Sequence, residues 1–255
     1  MKNINTAYSY DKQKVKYTAN RQTDPAIAKL INNALGDART VLNVGAGTGS
    51  YEPTDRIVTA VEPSEVMRAQ RSTEKVPAIA AYADNLPFND SSFDASMALL
   101  TIHHWPDIRK GLLELKRVTK DVVVIMTFAP ETVGKFWLAD YCPEMVMVDN
   151  ARFPKIDFIT SALGGKCRIV PVPIPINCAD GFNEAFYARP EAFLEEQVRR
   201  SQSFWDFLPR EVEDKAVSLL KADLESGKWD EQYGHMRAQS EFNGALRIIV
   251  SKKSS

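Results

Sequence analysis

The sequence predicts an α/β fold, a doubly wound, mainly parallel sheet with helices on both faces. Two observations carry that expectation. Short apolar runs bounded by turn residues (Thr40–Val44, Ile57–Val61, Phe93–Leu100 and Asp121–Phe128) alternate with stretches of helical periodicity. The first run also empties into Gly45-Ala46-Gly47-Thr48-Gly49-Ser50, and the second closes on Glu62, 17 residues past Gly45. Glycine tolerates positive φ and leaves no side chain between backbone and ligand, so alternating glycines after a strand suit a turn on which a ligand presses. An acid at the end of the second strand of an open parallel sheet accepts hydrogen bonds from ribose hydroxyls. Together they describe a site for a nucleoside-type cofactor.

The chain has 255 residues, 44% of them hydrophobic and 25% charged, the balance of an ordinary globular protein. No linker-like stretch or internal repeat divides it, so a single domain over 1–255 is expected. The formal net charge of −1 offers no basic surplus for nucleic acid or an anionic membrane. Cys142, Cys167 and Cys178 are too few and too scattered for a disulfide framework or a thiolate zinc site. The N-terminus is polar and lysine-rich, without the apolar stretch of a secretory signal. Aliphatic runs such as Val122–Met126 are too short to span a bilayer. The expectation is a soluble, cytoplasmic protein with no metal and no nucleic-acid or membrane partner, a monomer or homodimer.

The elements follow in order. Asp24-Pro25 reads as N-cap and first residue of a helix whose Ala26, Ile27, Leu30, Ile31, Ala34 and Leu35 recur at helical spacing before Gly36 ends it. Strands at Thr40–Val44 and Ile57–Val61 flank the glycine turn. A helical stretch from Pro63-Ser64 to about Lys75 leads to a third strand, Pro77–Tyr82. The fourth, Phe93–Leu100, runs into Thr101-Ile102-His103-His104-Trp105-Pro106-Asp107, at the strand end that borders the ligand crevice of such sheets. The His pair there suits a general base, a substrate-orienting group or a packing role. Asp107 caps a helix with Ile108, Leu112, Leu115 and Val118 inward, and Asp121–Phe128 is the fifth strand. Residues 129–166 break the alternation and are rich in aromatics and methionine (Phe136, Trp137, Leu138, Tyr141, Met145, Val146, Met147), which suits either a lid over an apolar ligand or helices packed on the sheet. Cys167–Ile176 reads as a sixth strand made irregular by Pro171, Pro173 and Pro175. Helices fill 189–228 and end at Gly227; Trp229, Tyr233 and His235 read as a surface cluster in a polar loop, and Gly244–Ser251 as the last strand.

The spacing G-x-G-x-G departs from the G-x-G-x-x-G of dinucleotide sites. Instead Val41–Ser50 resembles motif I of the class I S-adenosylmethionine (SAM)-dependent methyltransferases. Leu86-Pro87-Phe88 followed by Ser91-Ser92-Phe93-Asp94 is similar to a stretch of their small-molecule, UbiE-like branch (methyltransferase type 11). The resemblance runs from Thr40 to Phe128. It implies a Rossmann-like seven-stranded sheet with the last strand antiparallel, a helical lid at 129–166 and an N-terminal segment, 1–23, folded over the cofactor. It implies that the Gly45, Ala46, Gly47, Gly49 turn lies against the methionine part of SAM and that Glu62 binds the ribose. Met67 then packs beside the adenine, Asp84 faces its exocyclic amine, Pro63, Asn85 and Leu100 are further cofactor-binding positions, and Tyr17 with Arg21 resembles the covering segment's Tyr…Arg pattern. Asn43 stands where the family has Asp or Glu near the cofactor's ammonium, offering a carbonyl acceptor without a charge.

Methyl transfer from a sulfonium to a small-molecule O, N or C acceptor, releasing S-adenosylhomocysteine (SAH), needs positioning and desolvation more than a dedicated nucleophile. Where the acceptor needs a base, His104 is the first candidate and His103 the second. Two other readings stand beside this one: a non-catalytic SAM-fold binding module, which Asn43 favours, and an NAD(P)-linked oxidoreductase, which the glycine spacing and the missing Tyr-x-x-x-Lys pair disfavour.

Overall fold

A computed structural model describes residues 21–164 and 166–253; Tyr17 and most of the expected N-terminal cover lie outside the described residues. In chain order come α1 (Pro25–Leu35), β1 (Thr40–Val44), β2 (Ile57–Val61), α2 (Glu65–Ala69), β3 (Ala78–Ile79), β4 (Phe93–Leu99), α3 (Ile108–Val118) and β5 (Thr119–Phe128). They are followed by α4 (Leu138–Tyr141), α5 (Pro143–Arg152), α6 (Ile156–Leu163), β6 (Lys166–Pro171), β7 (Ile174–Pro175), α7 (Glu196–Arg200), α8 (Arg210–Ser226), α9 (Lys228–Tyr233), β8 (Glu241–Phe242) and β9 (Leu246–Lys252).

The main sheet has seven strands in the order β3-β2-β1-β4-β5-β9-β6. Strands β1 to β5 pair in parallel, while β9 runs antiparallel to both β5 and β6. The chain winds outward from β1 to β3, then returns to start again at β4, so the β1/β4 seam is the switch point at which such sheets open a crevice beyond their carboxyl ends. The central strands β1, β4, β5 and β9 are largely buried on both faces. Leu42, Val44, Ala98, Val123 and Ile125 pack with α3 and α6, whereas Val41, Met97, Val124 and Met126 pack with α1 and the C-terminal helices. Each such side chain, fully buried, stabilises the fold by roughly 1.5–3 kcal/mol.

Helix α1 begins as the sequence predicts. The Asp24 carboxylate accepts the N–H groups of Ala26 and Ile27, and Gly36, at φ 60°, ends the helix. Five elements differ from expectation. The helical stretch expected from Arg189 breaks into 3₁₀ turns at Pro190–Leu194 and Ser203–Phe207 on either side of the short α7. The third strand shrinks to Ala78–Ile79, because at the sheet edge only Ala60 and Val61 are left to pair with it. Helix α2 stops at Ala69, and the chain turns so that Arg71 reaches back to the Gly47 carbonyl. The sixth strand is cut at Pro173: β6 stays in the main sheet, while β7 joins β8 in a separate ribbon, a crossing suited to residues that donate no ladder hydrogen bond. Trp229 does not sit in a surface loop. It lies on α9, fully buried, with its ring 5.5 Å from that of Trp137, while His235 alone of that trio is exposed.

The 129–166 segment divides in two. Its first part, through α5, packs with the C-terminal helices over the carboxyl ends of the strands. In its second part Ile156, Ile159, Ala162 and Leu163 of α6 pack against Leu112, Leu115 and Val118 of α3 as ordinary sheet cover.

Candidate active site

The glycine turn holds three consecutive alternate residues at positive φ: Gly45 at 69°, Gly47 at 51° and Gly49 at 92°. The Gly45 and Ala46 N–H groups both donate to the Val61 carbonyl at 2.9 Å, which locks the turn to the end of β2. A Cβ on Gly45 would stand 2.0 Å from Thr101 Oγ1, so this glycine lets the turn press on the loop after β4. Leu100, at the head of that loop, is itself at φ 53°, and Tyr51, past the turn, is at 62°. Two non-glycine residues in a strained region at one crevice mark where packing holds the backbone against its preference.

Glu62 is buried, and its carboxylate accepts the Gly47 N–H at 2.8 Å and the Ser64 N–H at 2.9 Å. Burial pushes its carboxyl up from the ordinary range, opposed by these two bonds. Each oxygen keeps a lone pair for a ligand donor. Met67 lies beneath Gly47, its Cε 3.2 Å from where a Cβ there would be.

Asn43 explains itself through a residue the sequence did not single out. Its Nδ2 donates to Glu52 Oε1 at 3.0 Å, and Glu52, buried under the turn, pairs with Arg71 at 2.9 Å and Lys75 at 3.7 Å. The amide nitrogen is thereby committed, and Oδ1 takes no hydrogen bond among the described residues. A carboxylate at position 43 would oppose Glu52.

A second group ties the chain ends across the crevice. Asp180 accepts from Arg21 Nε at 2.5 Å and from the Tyr51 hydroxyl at 2.9 Å. Asp24 accepts the Ala179 N–H at 3.0 Å, and Thr23 Oγ1 accepts that of Tyr51, also at 3.0 Å. The turn around Cys178–Phe182 gave no sequence signal for this.

These elements bound a groove of about 620 Å³. Asn43, Gly45, Ala46, Gly47, Glu62, Met67, Leu100, His104 and Arg21 line it, so most of the expected cofactor residues meet there. Gly49 lies just behind, over Glu52 and Lys75. Pro63, Asp84 and Asn85 fall outside the lining.

A second cavity, of about 660 Å³, adjoins the groove and shares Arg21, Leu100 and His104 with it. His103 and His104 form a 3₁₀ turn (Ile102–His104), seated by Trp105, whose ring lies where a Cβ on Gly111 of α3 would be. The two imidazole centroids are 3.9 Å apart, and the His103 ring meets Phe153 at 4.3 Å, tilted by 45°. Burial, then the nearby Arg152, lowers His104 to about 3; burial, then His104 and Arg152, puts His103 well below the usual imidazole range. Both rings are therefore neutral. The far wall comes from the first part of the 129–166 segment and from 182–204, with buried Asp149, Arg152, Glu184 and Gln202 among phenylalanine rings. Burial raises Asp149 and Glu184 to about 7 each, Arg152 opposing this for Asp149 and the Ala245 N–H for Glu184. Among the described residues no helix is long and apolar enough to cross a membrane.

Residues 42–127 match a family described as a methyltransferase domain. A crystal structure from Anabaena variabilis, described as a methyltransferase from an antibiotic biosynthesis pathway, is 31% identical, covers 91% of this chain and 98% of its own, and superposes with a TM-score of 0.83. The chain belongs to the SAM-dependent methyltransferase family. Other members share its first half. An uncharacterized methyltransferase of Bacillus subtilis, YcgJ, is 31% identical over 43% of this chain and 44% of its own length. A demethylmenaquinone methyltransferase of Mycolicibacterium gilvum is 32% identical over 40% of this chain and 47% of its own. The chain spans about half the length, or less, of the curated relatives it matches. The likeness to the Anabaena structure, in contrast, continues through the helices beyond β5.

Proposed function

We propose that the protein transfers the methyl group of SAM to a small-molecule acceptor and releases SAH. One observation supports this above the others: the nucleoside-type groove and the aromatic cavity meet along Arg21, Leu100 and His104. The groove suits SAM on its own features. Its turn sets Gly45 and Gly47, both at positive φ and without side chains, in the groove's lining, Glu62 has lone pairs to spare, and Asn43 Oδ1 takes no hydrogen bond among the described residues.

When bound, SAM supplies a methyl group already activated by its sulfonium. The chain's task is then to bind, orient and exclude water. Glu62 takes the ribose hydroxyls. Asn43 Oδ1, with the Gly45–Gly49 turn, takes the methionine end, its direction set by Glu52. Met67, in the lining, would flank the adenine, and by the family resemblance Asp84 would meet its exocyclic amine from beyond that lining. Leu100 and His104 stand at the junction, and Arg21 closes it from above through Asp180. His103 and His104 orient rather than deprotonate, since burial lowers His104 to about 3 and His103 well below the usual imidazole range, which makes both poor proton acceptors.

The stretch 129–153 covers the acceptor cavity, and 154–166 belongs to the sheet layer. The wall of phenylalanine rings suits a small molecule better than a nucleic acid, and the demethylmenaquinone methyltransferase relatives are consistent with that class. Cys142 and Cys178 are buried free thiols, pushed up to about 11 and about 12 by burial, which suits the reducing cytoplasm.

Calorimetric titration with SAH, with NAD as control, tests the reading. We expect one-site binding of SAH alone, and a loss of at least about 100-fold in Glu62→Ala, which removes charged hydrogen bonds both to the ribose and to the Gly47 turn. Retained affinity in that variant removes the Glu62 assignment. Binding of NAD with hydride transfer overturns the whole, and SAH binding without turnover on any acceptor favours the non-catalytic module.

A further inference from the structure

The aromatic cavity carries more unspent hydrogen-bonding capacity than packing explains. Gln202 is 4% exposed, and neither its Oε1 nor its Nε2 has a partner among the described residues. Asn183 Oδ1 and His103 Nδ1 are likewise buried and unpartnered among the described residues. Each such atom costs about 1–3 kcal/mol if nothing satisfies it, and four such atoms on three residues around one cavity describe a surface shaped for a polar ligand edge. Asp149 adds a fourth residue. It is 6% exposed and its carboxylate accepts no hydrogen bond among the described residues, although Arg152 on the same helix is nearby.

The apolar part of the cavity fixes the shape of what fits. Phe128 meets Phe153 at 5.4 Å and Phe182 at 5.7 Å, both edge to face, and His103 meets Phe153 at a 45° tilt. Rings set on edge around a gap favour another flat ring over a branched or linear chain. The position of the cations matters as well. Arg152 donates to Ser203 at 3.0 Å and lies 4.5 Å from the Phe207 ring, so its guanidinium is already held, and Arg21 is held by Asp180. Of the two carboxylates in the lining, Glu184 accepts the Ala245 N–H on both oxygens, at 2.8 and 2.9 Å, whereas Asp149 accepts no hydrogen bond among the described residues.

We propose that the acceptor is a planar aromatic or heteroaromatic molecule with an ionisable O–H or N–H, that Asp149 receives this hydrogen, and that Gln202 reads a neighbouring donor or acceptor on the ring. The inference rests on the methyl-transfer reading for its chemistry. The acceptor's O–H or N–H bond breaks, its electron pair stays on the heteroatom, and the proton passes to the Asp149 carboxylate. That pair then forms the new bond to the methyl carbon, whose bond to sulfur breaks with both electrons left on sulfur. Asp149, held near neutrality, both takes and returns a proton far more readily than either histidine.

The test uses the SAH-loaded protein and four probes: 1-naphthol, 8-hydroxyquinoline, 1-methoxynaphthalene (the same ring without the proton) and n-octylamine. We expect 1-naphthol to bind at least tenfold tighter than both 1-methoxynaphthalene and n-octylamine. Asp149→Asn should bring 1-naphthol to the level of the methoxy compound and leave the latter unchanged. Gln202→Met should erase the preference for 8-hydroxyquinoline over 1-naphthol, and either variant judged alone tests the same cavity. SAH affinity should stay within twofold of wild type in both. n-Octylamine binding as tightly as 1-naphthol, or Asp149→Asn weakening both naphthalenes alike, overturns the proposal. If SAH does not bind the wild type while 1-naphthol still binds and discriminates, the methyl-transfer reading fails and the ligand class of the cavity stands.

Discussion

The groove and the cavity it opens into are built in different ways. The groove is made largely of backbone: three glycines at positive φ, two N–H groups on one carbonyl, and a carboxylate fixed by two more N–H groups, all between residues 43 and 67. The cavity is made of side chains from segments as far apart as Leu100 and Phe204, and its polar groups are held by burial. A site that grips through backbone tolerates little change in the residues of its turn. A side-chain cavity can be re-cut one residue at a time without disturbing the sheet beneath, which is how one scaffold serves many acceptors.

Substitutions that break this contrast should therefore differ in kind. The largest effect belongs to Gly45→Ala. A methyl 2.0 Å from Thr101 Oγ1, on a residue at φ 69°, must push the turn off the β4 loop, so SAH binding should fall below detection and the melting temperature should drop by several degrees. Unchanged SAH affinity in a calorimeter would mean that the turn does not carry the cofactor.

Asn43→Asp sharpens the point in the opposite sense from family resemblance. The new carboxylate would meet Glu52 Oε1 across 3.0 Å, so SAH affinity should fall about tenfold, ~1.4 kcal/mol, instead of rising. Adding Glu52→Gln should restore most of the loss. A simple gain in affinity for the single variant would show that Glu52 has no hold on position 43.

That residue also shows how far the sequence could be read. The groove was legible because strand, turn and acid lie within 22 residues and each has a local physical signature. Asn43 read as a deficit because its partner, Glu52, has none: a lone Glu between turns looks like solvent-facing charge until the fold brings Arg71 under it. The fold class was legible for the same local reasons, and the missed boundaries are those set at a distance. The third strand is short because its neighbour ends, and Trp229 is buried because Trp137 waits for it. In the cavity, His103 and His104 stood out as chemistry-bearing residues after a strand, whereas Asp149 and Gln202 lie in helical and turn sequence with no motif. What moves the weight from the first pair to the second is geometry the fold alone supplies: Asp149 and Gln202 both line the cavity, and the buried Gln202 amide has no partner among the described residues.

Asp180 joins the two halves, and its substitution should be felt in both. Asp180→Asn keeps the shape but loses the ion pair to Arg21 and weakens the Tyr51 hydrogen bond. We expect SAH affinity to fall about three- to tenfold, ~0.7–1.4 kcal/mol. Binding of 1-naphthol should fall by a similar factor. An effect on one ligand alone would place Arg21 in that half only.

The smallest effect separates the halves by pH. Burial raises Glu184 from 4.5 to about 7, so the folded state holds this proton more tightly than the unfolded chain. Its contribution to stability is then fully present below about pH 4.5 and is lost as pH rises to about 7, and Asp149 acts with the same sign. The lowered histidines act in the opposite direction, costing stability as pH falls below 6.5. The informative quantity is therefore the difference between wild type and Glu184→Gln in urea unfolding. It should shift in favour of the variant between pH 4.5 and 7 and be flat outside that window. A difference independent of pH would mean that Glu184 does not titrate in this range.

The most direct measurement is the crystal structure of the protein with SAH. We expect ribose hydroxyls on Glu62, the methionine end at Asn43 and the Gly45 turn, and the sulfur at the Leu100–His104 junction facing the aromatic cavity. SAH bound elsewhere, or bound in the groove with its sulfur turned from that cavity, would contradict it.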